Sequence, residues 1–491
     1  MSLEISPDEF WRVAGYVLGM AKNYLEELDT LPTFPPDASG QDALEEFAEP
    51  LPQEGAGESA LAALIAVLRL SRPPSPRFYG YVLGSGDPIA ACADLLASVL
   101  NQNVTAWRSS PAAVTIERMV VGWLAEAIGC RGFVGSLTGG GSSANTMALA
   151  MARESRLSAN EDGAQPAIVY ASDEVHMSIP KAVALLGIGR RNLQLIATDE
   201  NFRMKTGDLE ERIEEDKRAG KKAIAVVASA GTVNTGAVDP LTDIAGICRR
   251  HNLWLHIDGA YGALAAIAAP EKFAGLASAD SISLDPHKWL YQPLDCGCLL
   301  FRDRAHAHTA FAHSGDYARA LSQDPVEGFA YFEESIELSR RFRALKIWLS
   351  LRYHGLNAFR EAIAADLAHA QQLASLIREH KQLELLAPVE LSAVCFRYVG
   401  NGSSTSEANV WHGSPTRVPA DEQKLNELNE RILKRVVQRG RVYISNATIS
   451  GRFALRACFV NHRTKEDDVR AVVQEVLAVA DDEKDHSVKD H

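Results

Sequence analysis

Polar and apolar positions change rhythm twice along this chain. Residues 1–86 carry helical repeats, of which Phe10, Trp11, Val13, Ala14, Val17 and Leu18 form the first apolar stripe. Two proline-rich breaks, Pro32 to Pro36 and Pro73 to Pro76, cut the pattern. From 87 to 355 helical patterns alternate with short apolar runs, among them Ala167 to Tyr170, Ala223 to Ala228, Trp254 to Ile257 and Gly297 to Phe301. That alternation predicts an α/β domain on a mostly parallel sheet covered on both faces. From 356 to 491 a long helix at 358–379 precedes strands near Val394 to Tyr398 and Phe453 to Phe459, which predicts a smaller α+β domain. Residues 401–414, poor in apolar side chains, and the charged tail 481–491 are expected to be irregular and mobile.

Composition narrows the partners. The 491 residues are 46% hydrophobic with a formal net charge of -13, which supplies packed cores and argues against nucleic-acid or anionic-membrane binding. The acidic start, Met1 to Glu9, predicts no secretory signal, and the most apolar helical run, Ala60 to Leu70, is too short to span a bilayer. Seven cysteines without scaffold spacing predict reduced thiols and a cytoplasmic protein. Cys296 and Cys298 point the same way on a strand, but no second Cys or His pair completes a tetrahedral set, so no metal is expected.

Two charged residues stand in apolar surroundings at the ends of predicted strands. Trp254, Leu255 and Ile257 lead to Asp258; Ile282 and Leu284 lead to Lys288. Burying lone charges is costly. A desolvated lysine becomes a free-amine nucleophile able to form a Schiff base, and a buried aspartate can hold a heteroaromatic nitrogen protonated. The alternative is a Lys–Asp ion pair closing two strand ends. Taken functionally, the two residues are the protein half of a pyridoxal 5'-phosphate (PLP) site.

Further upstream, the run Ser136 to Asn145, with Gly139, Gly140, Gly141 and Ser142 at its centre, opens directly into an Ala-rich helix. Glycines admit an anion to the backbone, hydroxyls donate to it, and the helix N-terminus adds partial positive charge. The run lacks the Lys of a Walker loop. His176 follows the apolar run Ala167 to Tyr170, at the carboxyl edge of the predicted sheet, where open α/β folds bind ligands and an imidazole can lie flat over a pyridine ring.

The cup, His176, Asp258 and Lys288, in this order, resemble the PLP-dependent group II amino acid decarboxylases, most of all the aromatic L-amino acid decarboxylase branch. The resemblance runs from about Arg77 to Thr464. It includes Ala106 to Ala112, Gly231 to Pro240 and Ser339 to Trp348. It implies fold type I, aspartate aminotransferase-like, with PLP as cofactor. It further implies that Lys288, Asp258, His176 and Tyr331 are catalytic, and that Gly140, Gly141, Ser142, Ala260, His287 and Thr232 hold the cofactor. Tyr331 stands nine residues ahead of Arg340, as the lid tyrosine does in these decarboxylases, within a polar stretch between Phe311 and Ser339 suited to a lid. Relatives with Phe there, or with Asn in place of His176, form aldehydes.

The resemblance also implies an obligate homodimer, with residues 1–86 lying across the partner and the pocket at the interface. Tyr81, Val82, Asn103 and Thr105 fall where the substrate wall is expected, in a setting less aromatic than in animal aromatic decarboxylases. A glutamate or aspartate decarboxylase would need a cation for the distal carboxylate, for which Arg77 or Arg108 are candidates; an aldehyde synthase or aminotransferase would use the same cofactor. Val233 and Asp285 depart from the family, which often has Thr and Asn there. Val233 offers no hydrogen bond, and Asp285 would repel a phosphate unless its charge is neutralised or directed elsewhere.

Overall fold

The computed structural model describes residues 3–35, 40–313, 324–400 and 420–489. Seven strands lie between residues 134 and 301: β1 (Val134–Thr138), β2 (Ile168–Ser172), β3 (Leu193–Ile196), β4 (Ala223–Ser229), β5 (Trp254–Asp258), β6 (Ser281–Leu284) and β7 (Gly297–Phe301). They form one sheet in the order β1-β7-β6-β5-β4-β2-β3. β3, β2, β4, β5 and β6 pair in parallel, while β7 runs antiparallel to both neighbours. Helical connections between parallel strands cover both faces, which is why the strands read as continuous apolar runs. On β7, Cys298 and Leu300 enter one core and Leu299 and Phe301 the other, where the helix Gly141–Glu154 packs.

Four further strands, β8 (Leu383–Leu385), β9 (Ala393–Tyr398), β10 (Ser445–Ile449) and β11 (Arg452–Cys458), make an antiparallel sheet in the order β10-β11-β9-β8. Its apolar face, with Val394, Phe396, Leu455 and Phe459, packs into a third core. A helix over Ala344–Glu379 runs from the region of the large sheet to the small one, starting earlier than the pattern at 358–379 suggests. It is interrupted at Gly355, whose φ of 76° suits a residue without Cβ.

The tail differs from expectation. A helix spans Glu466–Lys489, so residues 481–489 continue regular structure rather than being irregular. Arg439 pairs with Asp482 and Arg431 with Glu483, which ties that charged stretch to the preceding helix, Ala420–Arg439. The other stretch expected to be mobile, 401–414, lies outside the described residues. At the other end, the helix Pro7–Glu27 buries none of its residues, and Trp11 is 70% exposed. Among the described residues no helix is long and apolar enough to cross a membrane.

Candidate active site

The carboxyl ends of β2, β4, β5 and β6 converge on one cavity of about 580 Å³. Asp258 closes β5, between Ser229 of β4 and Ser283 of β6 in register. Lys288 sits in the short helix Pro286–Trp289 that follows β6, and His176 in the turn between β2 and the helix Ser178–Leu185. The small sheet supplies the opposite wall through Ser445, Asn446 and Arg456.

The glycine run forms a cradle that side chains would fill. A Cβ on Gly141 would lie 2.6 Å from Ala260 Cβ, and one on Gly297 would lie 2.4 Å from Gly140 Cα. Gly140 itself has a φ of 143°. Behind it the helix Gly141–Glu154 begins, with Ser142 at the lip. His287 faces the same space, its Nδ1 donating to the Cys296 carbonyl at 2.6 Å, and burial lowers its pKa. Thr232, buried beside Thr235 at 2.9 Å between hydroxyls, lines the cavity with Val233. Asp285 Oδ1 is buried in the same wall without a hydrogen-bond partner. A side-chain-free cradle at a helix N-terminus, a carboxylate and an amine in one cavity fit PLP's phosphate, ring nitrogen and aldehyde respectively.

The charges are partnered differently from the sequence expectation. Lys288 is not a lone charge: its Nζ lies 2.8 Å from Asp285 Oδ2. The Lys288–Asp258 ion pair considered as the alternative does not form. Asp285, foreseen as a phosphate repellent, therefore directs one oxygen at Lys288. Asp258 instead accepts from Asn145 Nδ2 at 2.9 Å, Ser283 Oγ at 3.1 Å and the Ala260 amide at 3.2 Å. His176 Nδ1 is 2.8 Å from Ser178 Oγ, and burial, partly opposed by Asp258, lowers its pKa. Tyr81 and Val82 line the cavity mouth.

Three expected residues lie elsewhere. Asn103, Thr105 and Tyr331 cluster around Arg340 rather than in the cavity of their own chain. The Tyr331 amide donates to the Thr105 carbonyl at 2.8 Å, and the Arg340 amide to Asn103 Oδ1 at 2.9 Å. The Arg340 guanidinium stands 4.1 Å from the Tyr331 ring centroid. Tyr331 is fully buried with its hydroxyl unpartnered, and burial pushes its pKa well up. Residues 314–323 of the expected lid lie outside the described residues.

Sequence reasoning missed Arg456, Asn145 and His256 as site residues. Arg456 is 3% exposed; its Nε donates to the Asn234 carbonyl and its Nη1 to the Tyr81 carbonyl, both at 3.1 Å. Its Nη2 has no partner, leaving a buried donor in the cavity wall. A lone cation in the apolar run Phe453 to Phe459 was the available signal, the same one that marks Asp258.

Known proteins share this architecture. The pyridoxal-dependent decarboxylase conserved domain matches residues 46–399. An aromatic-L-amino-acid decarboxylase of Bacillus atrophaeus is 32% identical over 489 residues, covering 98% of this chain and 97% of that protein. A phenylacetaldehyde synthase of Petunia hybrida is 31% identical over 394 residues, covering 78% of this chain and 76% of that protein. The solved structure of Oryza sativa TDC with PLP and tryptamine superposes with a TM-score of 0.88 at 25% identity, covering 98% of this chain and 99% of that one.

Proposed function

Since this chain belongs to the pyridoxal-dependent decarboxylase family and is a PLP-dependent carboxy-lyase of fold type I, we propose that it converts an aromatic L-amino acid to its amine and carbon dioxide. Tyrosine, tryptophan, phenylalanine and dihydroxyphenylalanine are the candidates. The aromatic reading is carried by the likeness to an aromatic-L-amino-acid decarboxylase over 98% of this chain, and the cavity's charge inventory argues against a dicarboxylic substrate. Among the described lining residues the fixed cations are Lys288, paired with Asp285, and Arg456, with one free donor. One carboxylate can be received there. Among the described residues of this chain a second, distal carboxylate finds no cation: Arg77 is paired with Asp468 at 2.8 Å, and Arg108 is exposed outside the cavity.

When bound, PLP supplies an aldehyde for the substrate amine and a ring that takes up the electrons released as the carboxylate leaves. Lys288 would present the amine that holds the cofactor's aldehyde. Asp258 would hold a proton on the ring nitrogen through a charge-assisted hydrogen bond. His176 would lie against the ring and hold it in place. Arg456, with its free Nη2, would receive and orient the substrate carboxylate.

Tyr331 is the proposed proton donor to Cα. Because it lies outside the cavity of its own chain, it reaches a substrate only by rearrangement or from a second subunit. A homodimer with its pockets at the interface accords with this, and with the uncovered apolar residues of the helices Pro7–Glu27 and Pro88–Leu100, including Trp11, Leu95, Leu96 and Val99. The aldehyde-forming outcome is the second reading, supported by the likeness to a phenylacetaldehyde synthase.

Assay of an amino-acid panel for carbon dioxide, amine and oxygen uptake tests the proposal. Turnover of aromatic substrates to amine without oxygen uptake is expected. Preferential turnover of glutamate or aspartate would overturn the substrate class, and peroxide with aldehyde would establish the second reading.

A further inference from the structure

Behind the cavity runs a buried chain of hydrogen bonds that ends on Asp258. Trp254 Nε1 lies 2.9 Å from Ser281 Oγ, Ser281 Oγ lies 2.9 Å from His256 Nδ1, and His256 Nε2 lies 2.9 Å from Asn145 Oδ1. Asn145 Nδ2 then reaches Asp258 Oδ2 and Ser178 Oγ, both at 2.9 Å. Trp254, His256, Ser281 and Asn145 are each no more than 2% exposed.

The direction of this chain is fixed at both ends. An indole N–H only donates and a carboxylate only accepts. Asn145 turns Nδ2 to Asp258 and so Oδ1 to His256, which places the proton of a neutral imidazole on Nε2; Nδ1 then accepts from the Ser281 hydroxyl, which itself receives from Trp254. Both amide hydrogens of Asn145 face Asp258 and Ser178. Burial holds the His256 pKa down at about 4, so the ring is neutral and this single tautomer persists. The Ser178 amide donates to His176 Nδ1 at 3.3 Å, and the Ser178 hydroxyl, 2.8 Å away, completes the branch. One amide thus touches Asp258 directly and the ring-facing histidine through one serine.

We propose that Asn145, held in one orientation by His256, is the positioning residue that sets Asp258 and His176 against the two sides of PLP that each must meet. Neither Asn145 nor His256 touches the substrate in this scheme. The inference rests on Asp258 facing the ring nitrogen, and its test separates the two.

Holoenzyme loaded with PLP labelled with ¹⁵N in the ring reports protonation of that nitrogen by NMR, and equilibrium dialysis reports PLP affinity. Asn145→Ala and His256→Leu are expected to move the ring-nitrogen signal from the pyridinium position towards that of Asp258→Asn, and to weaken PLP binding about tenfold, the scale of one lost charge-assisted hydrogen bond. His256→Gln, which keeps an N–H towards Asn145, is expected to restore both. Should Asn145→Ala not fold, the contrast between His256→Leu and His256→Gln decides alone. Unchanged signal and affinity in the alanine and leucine variants, with Asp258→Asn shifted, would overturn the positioning role. An unshifted Asp258→Asn would instead overturn the assignment of Asp258 itself.

Discussion

The chemistry of single residues was most legible where a charge interrupts an apolar run. Asp258 and Lys288 stand out that way, His176 by its place after an apolar strand, and the three converge on one cavity. Asn145 and His256 do not stand out, because a hydrogen-bond relay across β5, β6 and the helix Gly141–Glu154 is a property of strand register, not of spacing. Asp285 shows the same limit: its pairing with Lys288 follows from one turn of helix after β6. Lys288→Ala is expected to abolish turnover with the fold retained, and borohydride reduction of the holoenzyme is expected to label Lys288; mass mapping of the reduced peptide checks it. Tyr331→Phe keeps the ring and removes the proton. Carbon dioxide release should persist while amine falls and aldehyde, ammonia and peroxide rise, measured as amine and oxygen side by side. An unaltered product ratio would confine Tyr331 to packing against Arg340.

At the scale of elements, the inner parallel strands β2, β4 and β5 are readable because both their faces are buried, whereas the half-exposed edge strand β3 and boundaries set by packing are not. The helix at Ala344–Glu379 carries its break at Gly355 inside, where helical periodicity restarts and the pattern shows only its second part. The charged tail reads as irregular by composition, yet its residues pair with the neighbouring helix. A close approach between the glycine cup and the sheet occurs at the start of β7, where a Cβ on Gly297 would meet three backbone atoms of Gly140 at 2.4 to 2.7 Å. Backbone cannot yield as a flexible side chain does. Gly297→Ala is expected to push the cup off the sheet, costing about 1–3 kcal/mol of stability and weakening PLP binding, as read by melting temperature and dialysis. A variant with wild-type affinity would show that the cup does not depend on this contact.

For the molecule as a whole, buried titratable groups set opposing responses to acid. Burial raises the pKa of Asp366 to about 7 and of Asp239 to about 6, and lowers those of His256 and His462 to about 4. Unfolded, such groups titrate near about 3.9 and 6.5. Between these limits the native aspartates hold protons the unfolded chain has lost, so their contribution falls as pH rises; the histidines contribute stability that is lost as pH falls. The two trends offset each other. Asp366→Asn removes one of them, and the variant's stability should rise with pH between about 4.5 and 6.5 more steeply than wild type, by up to about 1.4 kcal/mol per pH unit. Denaturant titrations across that range check the slope; a parallel pair of curves would contradict it. The cavity wall, finally, is shared between the large sheet and, through Ser445, Asn446 and Arg456, the small one. A molecule bound there is a staple between two folding units. Calorimetry should therefore find the two sheets melting closer together, towards one endotherm, once cofactor and a carboxylate-bearing substrate analogue are both in place.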